Sequence, residues 1–514
     1  MNVAQKISQA LLVDGVATVF TIPGSSCLSL LEAMARDQIR VELAGNEPGV
    51  VHAAHGYAAA ADAPYGCALL SRGPGGLNGA VGIATACDGF PVLTIIGDNE
   101  VKWRGRDLVN QDLPLAQALA PVCDVYELIE PRHTDTTLAR IQISLVKERR
   151  SCVLIVPSDI ASARICEPDG AGSVELDDDD SIELRTLVRH AKRPFVISGR
   201  NLPESELIGE ALRKLSVQRP RIPIAITMRG LSRIPEGTWG VVGTMGDPEL
   251  NRILLACDLL IVLDEDLRAE SLGRWDNLSA AAKIVSVGTR RQRYVSPTLE
   301  ILGGESELLA TLKILTVDSN SSGDMHAHLS STPNATEDLI SAVVNKMDAR
   351  TITLDAGKNF FLAAGSVSKI PLKTVVYSDT QGTMGFALPA AIGAAIATNE
   401  ATLAVLGDGG LIMTMSELPT INRLRLPVTI LLIDDRELGM VRDTQRSKGL
   451  GLNSTEVAPV DFRALSTATG LDYVQIRDIA DLNELSFDHP SILHVVVESP
   501  PLRSRGSVSG YLPT

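Results

Sequence analysis

Short apolar runs, each closed by a turn residue and followed by a stretch of helical periodicity, recur along the whole chain. VATVFTI, CALLS and PVLTIIG occupy the first third, RPFVISG, RIPIAIT and LLIVLDED the middle, and TITLDAG, LAVL and VTILLI the end. A strand with one face in water alternates polar and apolar residues, whereas a run apolar throughout belongs to a strand covered on both faces. The helical stretches between the runs supply the cover. This pattern dictates an α/β chain of doubly wound parallel sheets, with functional residues in the loops at the carboxyl ends of the strands.

At 514 residues, and roughly 100–200 residues per domain, three such units are expected: 1–165, 181–316 and 335–514. The polar segments EPDGAGSVELDDDD and VDSNSSGDMHAHLSSTPNATED read as the linkers between them, with His326 and His328 solvated in the second. Only 4% of residues are aromatic, so Ala, Val, Leu and Ile must fill the cores. A net charge of −15 argues against a nucleic-acid partner, since phosphate backbones are held by surplus Lys and Arg. Cys27, Cys67, Cys87, Cys123, Cys152, Cys166 and Cys257 are scattered without a CxxC pair, as expected of reduced thiols in a cytoplasmic protein. Asp14 and Gly15 interrupt the first apolar segment where a secretory core would be continuous, so neither a signal peptide nor a membrane span is expected.

The most informative stretch runs from Gly407 to Met440: GDGGLIMTMSELPTINRLRLPVTILLIDDRELGM. A strand, a glycine turn and a helix start form an anion site, because the first N–H groups of the helix and the positive end of its dipole face outward. Ile412, Met415, Leu418 and Ile421 recur at helical spacing and predict a helix with one buried face. VTILLI then ends at Asp434-Asp435, which brings Asp435 toward Asp408 at the carboxyl edge of a parallel sheet. Carboxylates beside a phosphate call for a hard cation such as Mg²⁺. A Gly-Asp-Gly by itself is usually only a turn; the paired strand ends carry the functional reading. Glu47, in Gly45-Asn46-Glu47-Pro48 ahead of an Ala-rich helix, invites a chemical role in the same way. Poor solvation there would raise its pKa toward neutrality, although a helix-start carboxylate favoured by the dipole is the plainer explanation.

These segments resemble the thiamine-diphosphate-dependent enzymes, in the acetolactate synthase and benzoylformate decarboxylase group. Gly407-Asp408-Gly409 through Met440 resembles the cofactor signature, with Asp434-Asp435 where the family has an Asn pair. NEPGVVHAAHGYAAA looks like the segment whose glutamate meets the cofactor's aminopyrimidine, and SDTQGTMGFALPAAIGAAIA matches a further cofactor segment. The resemblance implies three domains (pyrimidine-binding, central and diphosphate-binding), with thiamine diphosphate and Mg²⁺ as cofactors. It implies that Glu47 activates the cofactor, that the carbonyl of Gly382 meets the 4′-amino group, and that Met384 props the cofactor in a bent form. Gly357, Lys358, Asn359, Gly407, Asp408, Gly409, Gly410 and Met440 would line the cofactor, with Lys358 as a counter-charge, and Asp408, Asp435 and the carbonyl of Glu437 would ligate the metal.

By the same resemblance Ser25 and Ser26 lie near the substrate, and the family's Gln falls at Asn110 or Gln111. Ser71 stands where some decarboxylases have a catalytic His; His52 and His55 read as packed helix residues instead. Lys102, Arg104 and Arg106 form either a solvated cationic run or, together with Arg72, the candidates for pairing with a substrate carboxylate. Met245 and Asp264-Glu265-Asp266 depart from the family's FAD-binding pattern in the central domain, which makes FAD doubtful. The implied activity is carboligation: a 2-oxo acid is decarboxylated and the enamine is transferred to a second carbonyl. A simple decarboxylase and a non-catalytic scaffold relative are the alternatives. In this superfamily the glutamate domain of one subunit faces the diphosphate domain of another, which implies a homodimer or homotetramer. The basic tail PPLRSRGSVSGYLPT reads as either disordered or a lid.

Overall fold

The computed structural model describes residues 1–165, 180–318 and 335–497, apart from 62, 88–89, 106–108, 200–201, 203–204, 218–221, 228–229, 231–236, 244–245, 266, 268–281, 290–291, 293–295, 368–373, 379–380, 486 and 488. Cys166, Arg106, Met245, Asp266, His326, His328, most of the two linkers and the tail from Pro500 lie outside the described residues.

The apolar runs form three six-stranded sheets in which every named pairing is parallel. The first contains β1 (Thr18–Thr21), β2 (Arg40–Leu43), β3 (Gly66–Leu70), β4 (Val92–Asp98), β5 (Asp124–Glu127) and β6 (Cys152–Pro157), in the order β2-β1-β3-β4-β6-β5. The second contains β7 (Pro194–Ser198), β8 (Ile224–Thr227), β9 (Gly240–Val242), β10 (Leu259–Leu263), β11 (Lys283–Gly288) and β12 (Leu299–Leu302), in the order β12-β11-β10-β7-β8-β9. The third contains β13 (Thr351–Leu354), β14 (Thr374–Tyr377), β15 (Thr402–Gly407), β16 (Val428–Asp434), β17 (Asp472–Ile476) and β18 (Ser491–Val496), and repeats the first sheet's order as β14-β13-β15-β16-β18-β17. β3, β4, β6 and β16 are buried along their whole length, as their unbroken apolar sequence requires.

The outer two units meet through the Ala- and Gly-rich helices Glu47–Ala60 and Ala387–Thr398. A Cβ added at Gly56 would collide with the carbonyl of Ala390, and one at Gly393 with that of Ala53. The two backbones therefore touch, with the helices antiparallel. His52 and His55 are buried in this seam, their rings edge-on to Phe386 at 5.1 and 5.2 Å. Burial lowers the pKa of His52 to about 3, so its ring packs as a neutral group. His55 Nε2 accepts the N–H of Phe90 at 3.1 Å.

Two segments differ from the sequence expectation. The helix predicted through Ile412, Met415, Leu418 and Ile421 is broken into Asp408–Thr414, a 3₁₀ turn at Met415–Glu417, and Leu418–Leu424, and Met415 is 46% exposed. Pro419 explains the break: in a continuous helix it would have no N–H to give to the carbonyl of Met415, and its ring would clash there. The polar stretch after Met440, which hydropathy alone would leave as a loop, continues the helix Gly439–Ser447. That helix buries Arg442 against carboxylate partners, a compensation that hydropathy does not register.

Candidate functional site

The third sheet brings its signature loops together through register. β13 pairs with β15 so that Leu354 faces Val405, and β15 pairs with β16 so that Gly407 faces Ile433. The loops bearing Gly357-Lys358-Asn359, Gly407 to Gly410 and Asp435 to Met440 consequently leave neighbouring strands at the same edge. The chain winds in opposite directions on either side of the β13/β15 pair, which makes this crevice the sheet's topological switch point.

Asp408 is buried, and its carboxyl is pushed up to about 6, mainly by burial and then by the Asp434 and Asp435 carboxylates; the Gly409 N–H opposes the rise. The two consecutive aspartates turn apart. Asp434 Oδ2 lies 3.0 Å from His494 Nε2, and His494 Nδ1 lies 2.7 Å from the Tyr473 hydroxyl, so Asp434 belongs to a side-chain chain running into β18 and β17. Asp435 stays at the crevice, where its Oδ2 is 2.8 Å from the position of a Cβ at Gly439. Glu437 bridges to Glu456 through the bonds from Leu438 N to Thr455 O (2.7 Å) and from Val457 N to Arg436 O (2.9 Å), so its own carbonyl points away from that partner.

Glycines and Met384 complete the cleft. The Met384 methyl lies 3.1 Å from where a Cβ on Gly409 would stand, so Met384 overhangs the helix start at Asp408. Its loop contains Gly382 and Gly385, with φ of +53° and +81°. Sequence reasoning missed the residue that holds this loop. Asp355, fully buried at the end of β13, accepts N–H bonds from Gly385 (3.0 Å), Phe386 (2.7 Å) and Ala387 (3.2 Å), while burial pushes its carboxyl up to about 6. The signal was available in TITLDAG, a lone carboxylate at the carboxyl end of an apolar strand. Lys358, expected as a counter-charge to the diphosphate, is paired with Asp443 at 2.9 Å, both side chains nearly buried. Arg442 links Asp443 to Glu437.

This cleft fits an anionic, metal-bound group. The helix at Asp408 begins without a side-chain cap, so its first N–H groups are open to oxygen acceptors. The crowding that raises Asp408 is a repulsion that a cation would relieve. No group of three His, Cys, Asp or Glu side chains is placed to bind a metal among the described residues; two carboxylates and a backbone carbonyl form a different donor set.

The first sheet gathers the other candidates at the carboxyl ends of β1, β2, β3 and β4. Glu47 opens its helix behind the cap Asn46, whose side chain accepts from Gly49 N at 2.7 Å. Asn78 Nδ2 donates to Glu47 Oε2 at 2.5 Å, and Glu47 Oε1 lies 3.9 Å from the position of a Cβ at Gly75. Glu47 thus faces the Gly73–Asn78 turn and is half-buried in the single chain. Ser26 Oγ accepts the N–H of Arg72 at 3.2 Å, and Arg72 Nε donates to Gln111 Oε1 at 3.2 Å. Asn110 is tied to Asn99 through its carbonyl at 3.4 Å, while Ser25 is exposed. Of the cations, Arg104 is consumed by Asp98 (2.9 Å) and Glu127, and Lys102 by Glu100 (2.7 Å). Arg72 makes no ion pair among the described residues.

The two groups of loops do not meet within one chain. On the antiparallel helix pair Glu47 lies toward the Thr398 end, whereas the loop from Gly382 to Gly385 precedes the other end. At 1.5 Å per helical residue the offset is about 20 Å along the axis.

In the central sheet, Asp264 and Glu265 are buried at the end of β10, beside β7, where that sheet has its own switch point. Asp264 Oδ1 accepts from the backbone N–H and the hydroxyl of Thr289, both at 3.1 Å. No helix among the described residues is long and apolar enough to cross a membrane.

Comparison with known proteins agrees with this architecture. Three models described as the N-terminal, central and C-terminal domains of thiamine pyrophosphate enzymes match residues 1–119, 183–312 and 355–495. Among curated proteins, the chain is 26% identical to the acetolactate synthase isozyme 2 large subunit of Escherichia coli (strain K12) over 532 residues, covering 97% of this chain and 96% of that protein. It is 26% identical to the acetolactate synthase large subunit of Lactococcus lactis subsp. lactis (strain IL1403) over 535 residues, covering 96% and 92%. It is also 28% identical to acetolactate synthase 2, chloroplastic, of Nicotiana tabacum over 481 residues, covering 84% and 70%.

Proposed function

Because the chain belongs to the thiamine pyrophosphate enzyme family, we propose that it is a thiamine-diphosphate-dependent carboligase that decarboxylates a 2-oxo acid and joins the remaining carbon unit to a second carbonyl. The observation that carries this reading is the convergence of Asp408, Asp435, Asn359 and Met384 on one switch-point crevice, in a chain matched end to end by acetolactate synthase large subunits. Bound thiamine diphosphate would supply a carbon nucleophile for the 2-oxo carbonyl and, in its thiazolium ring, the electron sink for the pair left behind when CO₂ departs.

The remaining chemistry falls to the chain's own residues. Gly357, Asn359 and Gly407 to Gly410 cradle the diphosphate, with Lys358 at the rim and Met440 beside it. Asp408, Asp435 and the Glu437 carbonyl hold Mg²⁺, an assignment supported by the cation-seeking carboxylates and the uncapped helix start. Met384 would prop the cofactor from below, and the carbonyl of Gly382 would be the acceptor for its amino group. Glu47 exchanges a proton with the pyrimidine ring, and Asn78 fixes the direction of its carboxylate. Ser25, Ser26, Asn110 and Gln111 border the substrate, and Arg72 receives its carboxylate through the guanidinium nitrogens that Gln111 leaves open.

Glu47 and Met384 act on the same cofactor only if they come from different subunits, so the active unit is at least a homodimer. The separation of the two loop groups within one chain supports this. The central unit serves as structure without FAD, a reading supported by the two acids at its switch point. Buried thiols at Cys27, Cys67 and Cys152 suit a reducing, cytoplasmic setting.

The test supplies thiamine diphosphate, Mg²⁺ and a panel of 2-oxo acids and follows CO₂ and products by mass spectrometry. Hydroxy-keto products establish the carboligase. Aldehyde alone establishes the decarboxylase, and cofactor binding without CO₂ release from any substrate leaves a scaffold.

A further inference from the structure

Glu417 is 1% exposed, and the assignments above give it no task. The helix break caused by Pro419 places it in the 3₁₀ turn Met415–Glu417, nine residues beyond Asp408. From there it reaches into the first unit. Its Oε1 accepts the N–H of Gly45 at 2.9 Å. A Cβ at Gly49 would collide with this same oxygen. The neighbouring Ser416 repeats the contact: its hydroxyl receives Asn46 Nδ2 at 3.2 Å, and a Cβ at Gly45 would stand 2.7 Å from its carbonyl. Burial pushes the Glu417 carboxyl up to about 7, so this is an expensive side chain to place here. A methionine or leucine would fill the volume at lower cost. The carboxyl instead accepts from Gly45, two residues before Glu47.

We propose that Glu417 is a positioning residue for Glu47: by clamping the Gly45 N–H, with Ser416 holding the Asn46 side chain beside it, it fixes the backbone from which the Glu47 carboxylate projects toward the neighbouring subunit's cofactor. The inference rests on the role given to Glu47 under the proposed function. Its structural consequence is that the segment starting at the metal-binding Asp408 of one site ends as the support of the proton-exchanging residue of the next.

The experiment combines Glu417→Ala and Glu417→Gln with the wild-type and Glu47→Gln backgrounds. Thiamine diphosphate affinity is measured by titration calorimetry at saturating Mg²⁺, and turnover is measured per folded subunit. Glu417→Ala is expected to weaken affinity and lower turnover by about 10-fold each, the scale of a lost charge-assisted hydrogen bond. Glu417→Gln, which keeps an oxygen at the Oε1 position, is expected to recover both to within about 2-fold by the same reasoning. In the Glu47→Gln background Glu417→Ala is expected to cause no further loss, because two residues acting through one group are not additive. If the alanine variant does not fold, Glu417→Met fills the volume without an acceptor and takes its place. An undiminished effect of Glu417→Ala in the Glu47→Gln background overturns the proposal, as does a lowered melting temperature with unchanged affinity and turnover. Wild-type protein that takes up no thiamine diphosphate overturns the proposed function and this inference with it; uptake with additive variants overturns this inference alone.

Discussion

Asn78 donates its side-chain amide to Oε2 of Glu47 across 2.5 Å, joining the start of one helix to the end of the turn that faces it. A carboxylate at a helix start is otherwise free to swing toward solvent, so this bond sets its aim. Asn78→Ala should lower kcat by about 10- to 100-fold, the equivalent of a hydrogen bond to a charged group. Asn78→Asp, which sets a like charge against Glu47, should cost more. Steady-state kinetics on variants with an unchanged circular dichroism spectrum provide the check.

Arg72 and Arg104 separate a recognition role from a structural one. Arg104→Ala should lower the melting temperature by exposing Asp98 to an unpaired, buried state, with KM little changed. Arg72→Ala should leave the melting temperature nearly untouched and raise KM for the 2-oxo acid by about 10-fold or more, as loss of a charge-assisted contact does. Equal KM values in the two variants would remove Arg72 from the substrate site.

Asp435 adds a negative charge to a crevice already crowded by Asp408 and Asp434. Thiamine diphosphate binding should therefore depend more steeply on Mg²⁺ in this protein than in its Asp435→Asn variant. Calorimetric titrations across a series of Mg²⁺ concentrations test this, and parallel curves would refute it.

The Lys358–Asp443 pair is nearly buried, and without Lys358 the Asp443 carboxylate still has Arg442 as a cationic partner. Lys358→Met should destabilise the protein by about 1.5–3 kcal/mol, the scale of a lost hydrogen bond between charged groups, and adding Asp443→Leu should recover little of it, because that change also strips a carboxylate from the buried Arg442. Chemical denaturation of the three proteins gives the comparison.

Glu417 also gives stability a pH dependence of known sign. Burial pushes its carboxyl up to about 7 in the folded chain, above the ordinary 4.5 of a glutamate. Between those values the folded state binds more protons than the unfolded one, so this group's contribution is complete below about 4.5 and is lost as pH rises through about 7. The slope approaches 1.4 kcal/mol per pH unit. Its immediate partners, Gly45, Asn46, Gly49 and Ser416, carry no charge. Glu417→Gln should flatten that stretch of the stability curve, as measured by denaturant midpoints between pH 5 and 7.5.

Much of this architecture was legible before any coordinates. Unbroken apolar runs such as VTILLI and LLIVL announced strands covered on both faces, and their alternation with helices announced the parallel sheets. Strand order was not legible, because it depends on which runs pair, and pairing leaves little trace in composition. The crevice around Asp408 and Asp435 could be anticipated, since carboxylates at the ends of consecutive strands must emerge at one edge. Asn78 and Glu417 could not be singled out, because each works through a partner more than 30 residues away; Asp355 stood out as a lone carboxylate ending an apolar strand, but its partners at Gly385 to Ala387 did not. The Pro419 break shows a local rule overriding a period. Four apolar residues at helical spacing argued for one helix, and a single ring with no N–H divided it.

The seam between the outer units has a consequence for symmetry. Glu47–Ala60 follows β2, the second strand of its sheet, and Ala387–Thr398 follows β14, the second strand of a sheet wired in the same order. Ala53 and Gly393, which touch, are each the seventh residue of their helix. Two equivalent helices crossing antiparallel at equivalent positions define a local dyad, so each chain already presents its outer units as a pseudodimer. A second copy added about a true twofold axis would multiply that operator into an approximate 222 arrangement of four related sheets. Glycine at position 393 is then more than a packing concession: it sits at the pivot about which both halves of the molecule are related.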